Sequence, residues 1–112
     1  MRRGEIWLIN LDPTIGAEIK KTRPAVIIND DAIGILPLKV IVPITEWKDR
    51  YAVALWMVQI IPDPENGLNK LSAADAFQVR SVAQKRFIQR LGALSAIKTR
   101  EITKALSVVL GI

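Results

Sequence analysis

The chain has 112 residues, half of them hydrophobic, with a formal net charge of +5, which fits a single packed core and excludes a disordered chain. It contains neither cysteine nor histidine, so disulfides, thiol nucleophiles and thiolate or imidazole metal ligands are excluded. Any catalysis must proceed without the side chain that most often moves protons near neutral pH.

Residues 5–11, Glu-Ile-Trp-Leu-Ile-Asn-Leu, are an apolar run with an aromatic and two isoleucines, which predicts a strand. Trp7 sits inside this run and reads as a core anchor rather than a base-stacking platform. The stretch 12–24, Asp-Pro-Thr-Ile-Gly-Ala-Glu-Ile-Lys-Lys-Thr-Arg-Pro, is predicted to be a long loop. Pro13 and Gly16 punctuate its start, and Pro24 pushes Arg23 toward an extended conformation, so the loop ends in an arginine. It carries Glu18 and then Lys20, Lys21 and Arg23, three cations in four residues. Two readings fit: a functional loop on a rigid scaffold, or a solvated connection with ordinary surface charge.

Pro24 to Asn29 predict a second strand, and Asn29-Asp30-Asp31 supplies turn chemistry. The adjacent aspartates read as turn formers rather than metal ligands, since no partner cluster stands nearby. Leu38 to Val42 predict a buried strand that Pro43 limits to an edge or ends. Thr45 follows just past that end, its hydroxyl placed either to meet a ligand or to bond the local backbone. After a charged connection, Tyr51 to Ile61 (YAVALWMVQII) is too apolar for clean alternation and predicts a central strand, or one buried on both faces, with another subunit as one possible cover.

Pro62 to Asn69 (PDPENGLN) is the strongest loop in the chain. Leu71 to Phe77 fits either a helical turn or a strand, and Gln78 to Ser81 alternates as an exposed strand does. Gln78 and Arg80 would then face the same way, a pair suited to an RNA base edge and its phosphate, or to plain surface polarity. Phe87 to Leu94 predict one more strand. Ser95 is an N-cap for a closing helix in which Ile102, Ala105, Leu106, Val109 and Leu110 recur at helical spacing, and Gly111 ends it. The expected architecture is one domain over 1–112, mostly strands, with the helix packed across them. No apolar run approaches the roughly 18 residues of a membrane span, and the opening Met-Arg-Arg-Gly-Glu lacks the apolar core of a signal peptide; the expected location is the cytoplasm.

Charge is unevenly placed. Residues 80–104 hold seven Lys or Arg against the single acid Glu101, whereas the rest of the chain is nearly neutral. Such an excess points to a polyanionic partner, either nucleic acid or an acidic protein segment.

Several blocks together resemble the MazF/PemK family of toxin endoribonucleases: RGEIW (3–7), NLDPTIG (10–16), EIKKTRP (18–24), AVIINDD (25–31), VPIT (42–45) and AFQVRS (76–81), with the closing helix. The resemblance implies a mainly β chain with short helices, an SH3-like small β-barrel of the MazF and CcdB kind. It implies a homodimer that cleaves single-stranded mRNA without cofactor or metal, silenced by a cognate antitoxin whose acidic C-terminal segment covers the RNA groove. Arg23 matches the family's proposed catalytic arginine and Thr45 its proposed catalytic threonine. Glu18 lies in the loop that gates and contacts substrate and is the candidate base. Thr14, Lys20 and Lys21 in that loop, with Gln78 and Arg80, are the implied RNA-binding residues. Many relatives carry an acidic residue directly before the glutamine, where this chain has Phe77. The alternatives are a non-catalytic barrel that, like the CcdB toxins, binds a protein target or binds RNA without cutting it, and an assembly module whose basic face holds an acidic partner.

Overall fold

Short β-branched segments separated by Pro, Gly and Asx turns build an antiparallel sheet. A computed structural model describes residues 1–33 and 35–112. Its strands are β1 (Glu5–Asn10), β2 (Thr22–Ile27), β3 (Leu38–Glu46), β4 (Met57–Ile60), β5 (Ser72–Asp75), β6 (Arg80–Ala83) and β7 (Phe87–Ala93), followed by the helix α1 (Ala96–Leu110). They run in the order β4-β5-β3-β2-β1-β7, and β6 lies beside β3 on the stretch that β5 leaves free. The sheet bends into an SH3-like barrel that is not closed by a β4–β7 ladder.

The loop 62–69 bridges that opening. The Glu65 carbonyl accepts from the Ala93 amide of β7 at 2.8 Å. Asn66, buried, donates to the Ile61 carbonyl at 2.9 Å and accepts from the Asp63 and Leu68 amides at 3.1 and 3.0 Å. So close an approach requires glycine: a Cβ on Gly92 would stand 2.2 Å from the Glu65 carbonyl oxygen, and one on Gly67 2.0 Å from that of Leu91.

Two apolar clusters among the described residues pack the two faces of the sheet. The first joins Ile6, Val26, Val42, Ile44 and Ile60 to Ile102 and Ala105 of α1. Ser95 caps the helix by accepting from the Lys98 amide at 3.1 Å, and Gly111 ends it in the left-handed region, as the sequence predicts. The second cluster lies on the opposite face of β1, β2 and β3 and comprises Ile9, Leu11, Ala25, Ile27, Ile41 and Val82, with Trp7, Ile19 and Phe87 packed against it. Trp7 meets Phe87 edge to face at 5.7 Å, the predicted core role. Truncating a fully buried isoleucine such as Ile41 would cost about 2–5 kcal/mol.

Five expectations are corrected. Pro43 neither ends β3 nor puts it at an edge: it is fully buried and opposite Ala25 of β2. Along its other edge β3 pairs with β6 over 38–41 and with β5 over 44–46, so the missing N–H of Pro43 falls in the gap and interrupts no ladder. Thr45 therefore lies inside β3, and Arg23 inside β2 rather than at a loop's end. The run Tyr51–Ile61 is not a central strand. Asp49–Val53 is a 3-10 turn, β4 is a four-residue edge strand, and Val53, Leu55 and Trp56 are exposed, so their apolar character serves the surface. Finally, β5 ends in a 3-10 turn, Ala76–Gln78, which holds Gln78 out of the strand that carries Arg80. Asp30 acts as a turn former, accepting from the Ala32 amide at 2.9 Å, while Asp31 accepts from the Arg3 amide at 2.8 Å and ties the N-terminal segment to the turn.

Candidate functional site

A groove of about 450 Å³ opens between the 12–21 loop and the turn preceding β6, walled by Glu18, Ile19, Pro43, Phe77, Gln78 and Arg80. Strand alternation sets the face of the sheet beside it, from which Pro43 and Arg80 line the groove. Arg23 shares a face with Ala25, Thr45 with Pro43, and Arg80, opposite Ile41, shares theirs. Continuing the β2–β3 register by two residues sets Arg23 across from Thr45.

The loop is held by local polar chemistry. The Asp12 carboxylate accepts from the Lys21 amide at 3.1 Å and from the Thr14 hydroxyl at 3.3 Å, while the Leu11 amide donates to the Lys21 carbonyl at 2.9 Å. Lys21 adopts φ +70°, which an L side chain tolerates only where its surroundings over-determine it. Arg86 donates to the Asn10 carbonyl at 3.2 Å and also to that of Asp12. Arg80 donates to the Leu11 carbonyl at 3.2 Å. Gln78 spans the groove, accepting from the Ile19 amide at 2.6 Å and donating to the Ala17 carbonyl at 3.1 Å.

Of the expected residues, Glu18, Gln78 and Arg80 meet in the groove wall, and Arg23 and Thr45 stand on the adjoining strands. Arg23 is half-buried and anchored through Nε to the Lys20 carbonyl at 3.2 Å. Its two terminal nitrogens have no hydrogen-bond or ion-pair partner among the described residues, which leaves the guanidinium fork available to an anion. Among the described residues, none of Lys20, Lys21, Arg23, Arg80 and Arg86 is within ion-pair distance of a carboxylate; the pairs that form lie elsewhere, as between Lys98 and Glu101. One Glu18 oxygen accepts from the Ile15 amide at 2.6 Å. Thr14, Lys20 and Lys21 are loop residues outside the groove wall. The basic excess of 80–104 is divided, with Arg80 and Arg86 gripping the loop and Lys98, Arg100 and Lys104 on α1.

Sequence reasoning missed Asp12, Arg86 and Asp75. Asp12 was legible as Asx turn chemistry. Asp75, buried at the end of β5, accepts from the Phe77 amide at 3.1 Å and so shapes the turn that presents Phe77 and Gln78. Burial pushes its carboxyl above the ordinary 3.8, only partly offset by hydrogen bonds from Phe77 and Gln78.

Fold and groove together define a small SH3-like barrel with an open cleft beneath the 12–21 loop, walled by Glu18, Gln78 and Arg80. The chain belongs to the PemK-like, MazF-like toxins of type II toxin-antitoxin systems, whose family model matches residues 2–110. It is 31% identical to endoribonuclease MazF9 of Mycobacterium tuberculosis over 112 residues, covering 95% of this chain and 92% of that one. Among solved structures, MazF from Deinococcus radiodurans superposes with a TM-score of 0.81 at 22% identity, over 100% of this chain and 97% of the other. A mycobacterial endoribonuclease in complex with its cognate antitoxin superposes at 0.79 with 18% identity, over 100% and 96%. No helix among the described residues is long and apolar enough to cross a membrane.

Proposed function

We propose that this chain, as a single domain over 1–112, is the toxin of a type II toxin-antitoxin pair and a sequence-specific endoribonuclease that cuts single-stranded mRNA in the cytoplasm. The observation that carries the reading is the Arg23 guanidinium, anchored at Nε with both terminal nitrogens open, across the strand register from Thr45 and beside a groove walled by Glu18, Gln78 and Arg80.

In the proposed reaction the ribose 2'-oxygen forms a bond to its neighbouring phosphorus and the bond to the 5'-oxygen breaks, giving a 2',3'-cyclic phosphate and a 5'-hydroxyl. The substrate supplies its own nucleophile, so neither a metal nor an attacking water is required. Charge builds on the phosphoryl oxygens, and the guanidinium fork of Arg23 suits two of them. With a pKa above about 12, Arg23 serves as electrostatic stabiliser and hydrogen-bond donor to the leaving oxygen rather than as a free acid. Glu18, on the groove wall, takes the 2'-hydroxyl proton, and the Thr45 hydroxyl orients the phosphate. Thr14, Lys20, Lys21, Gln78 and Arg80 hold the flanking nucleotides. The acidic C-terminal segment of an antitoxin would compete for the same cations, and the working form is a homodimer.

Expression in a bacterial host tests the reading. Growth arrest with mRNA cut at a recurring short sequence, relieved by the cognate antitoxin, is the expected result. Arrest with intact mRNA and damaged DNA would instead place the chain with barrels that poison a protein target.

A further inference from the structure

We propose that Phe77, backed by Trp56, is the base-stacking platform of the groove and therefore a specificity-determining residue; this inference rests on the RNA-cleaving function above. Phe77 lines the groove together with Gln78 and Arg80, yet 64% of it is exposed. Trp56, itself 40% exposed, meets it edge to face with ring centroids 6.0 Å apart and planes 70° from parallel. An edge-to-face contact occupies at most one face of each ring, so a broad aromatic surface stays open.

This surface is held rigidly. Asp75 accepts from the Phe77 amide at 3.1 Å, and the Ala76 amide donates to the Trp56 carbonyl at 2.9 Å. Asp75 and Ala76 are buried, which fixes the turn against the barrel. The other two aromatic pairs, Trp7 with Phe87 and Trp47 with Tyr51, are absent from the groove wall.

An open aromatic face in one groove wall with Arg80, which no carboxylate pairs among the described residues, is an arrangement that grips single-stranded nucleic acid, with the cation on a phosphate and the ring under a base. The neighbouring charge favours a nucleotide over an apolar protein segment as the occupant. Stacking is tolerant of sequence but grows with ring area, so the platform favours a purine at the nucleotide it supports.

The test uses single-stranded RNA oligonucleotides made uncleavable by 2'-deoxy substitution, bound to the parental protein, Phe77→Ala and Phe77→Trp. Phe77→Ala is expected to weaken binding on the order of tenfold and Phe77→Trp to restore it. An abasic residue at one position should weaken the parental protein by the same factor while costing Phe77→Ala little more. On cleavable RNA, Phe77→Ala should raise KM more than it lowers kcat and relax the purine preference at that position. Unchanged affinity in Phe77→Ala with a parental circular dichroism spectrum would overturn the proposal while leaving the nuclease reading standing. Loss of self-association or of acidic-peptide binding, with RNA affinity intact, would assign the aromatic face to a protein contact and overturn it too. A parental protein that neither binds nor cuts RNA would bring down the nuclease reading itself.

Discussion

The Gln78 side chain clamps the backbone of Ile19 across the groove, its Oε1 2.6 Å from the Ile19 amide nitrogen. With the Nε2 bond to the Ala17 carbonyl, one side chain satisfies two backbone groups of a loop distant in sequence. The residue expected to read RNA is thus also the latch of the loop over the groove. Each such bond contributes about 0.5–1.5 kcal/mol. Gln78→Ala should speed amide hydrogen exchange across residues 12–21, Ile19 above all, while the exchange of β1 and β3 stays parental. Equal exchange of the loop in the parental protein and the variant would show that Asp12 and Arg86 hold the loop unaided.

Closure of the barrel depends on Gly92. A methyl there meets the Glu65 carbonyl oxygen and the Asn66 carbonyl carbon at 2.2 and 2.6 Å, and both are backbone atoms that cannot rotate away. Gly92→Ala should therefore destabilise the protein by about 1–3 kcal/mol, read as a lower midpoint in urea. A midpoint within error of the parental one would mean that the 62–69 loop can leave β7 without consequence.

Asp75 predicts a pH dependence of stability. Because burial raises its carboxyl above 3.8 in the folded protein, the folded state holds the proton more readily than the unfolded one. Its favourable contribution is then present below pH 3.8 and is lost as pH rises through the raised value. Asp75→Asn stays neutral throughout and keeps an oxygen for the Phe77 amide. The melting temperature of Asp75→Asn relative to the parental protein should climb as pH rises from 3.8 and then level off. A difference that is constant with pH would contradict the assignment.

How far these features were legible differs by element. The closing helix was readable from its apolar spacing and both caps, because helix ends are written in local residues. The barrel class and the MazF/PemK character followed from blocks such as EIKKTRP and VPIT, whereas the order of strands in the sheet did not. Pro43 misled because the rule against proline in strands assumes that a neighbour needs its N–H, and the exchange of β6 for β5 along β3 appears only in three dimensions. Tyr51–Ile61 misled because its apolar content is spent partly on exposed Val53, Leu55 and Trp56 rather than on the core. The juxtaposition of Glu18, Gln78 and Arg80 joins segments some 60 residues apart, and no periodicity encodes that. The role of Arg86 as a loop anchor depends on the Asn10 and Asp12 backbone carbonyls, which carry no sequence signal at all.

The central claim is that Arg23 drives RNA cleavage by the 2'-hydroxyl route. Its most direct test is incubation of the purified protein with a long RNA in EDTA, followed by mapping of the new ends. The expected result is discrete cuts leaving 5'-hydroxyl and 2',3'-cyclic phosphate ends, slowed on the order of a hundredfold or more in folded Arg23→Ala. Intact RNA from the folded parental protein, or near-parental cleavage by Arg23→Ala, would contradict it.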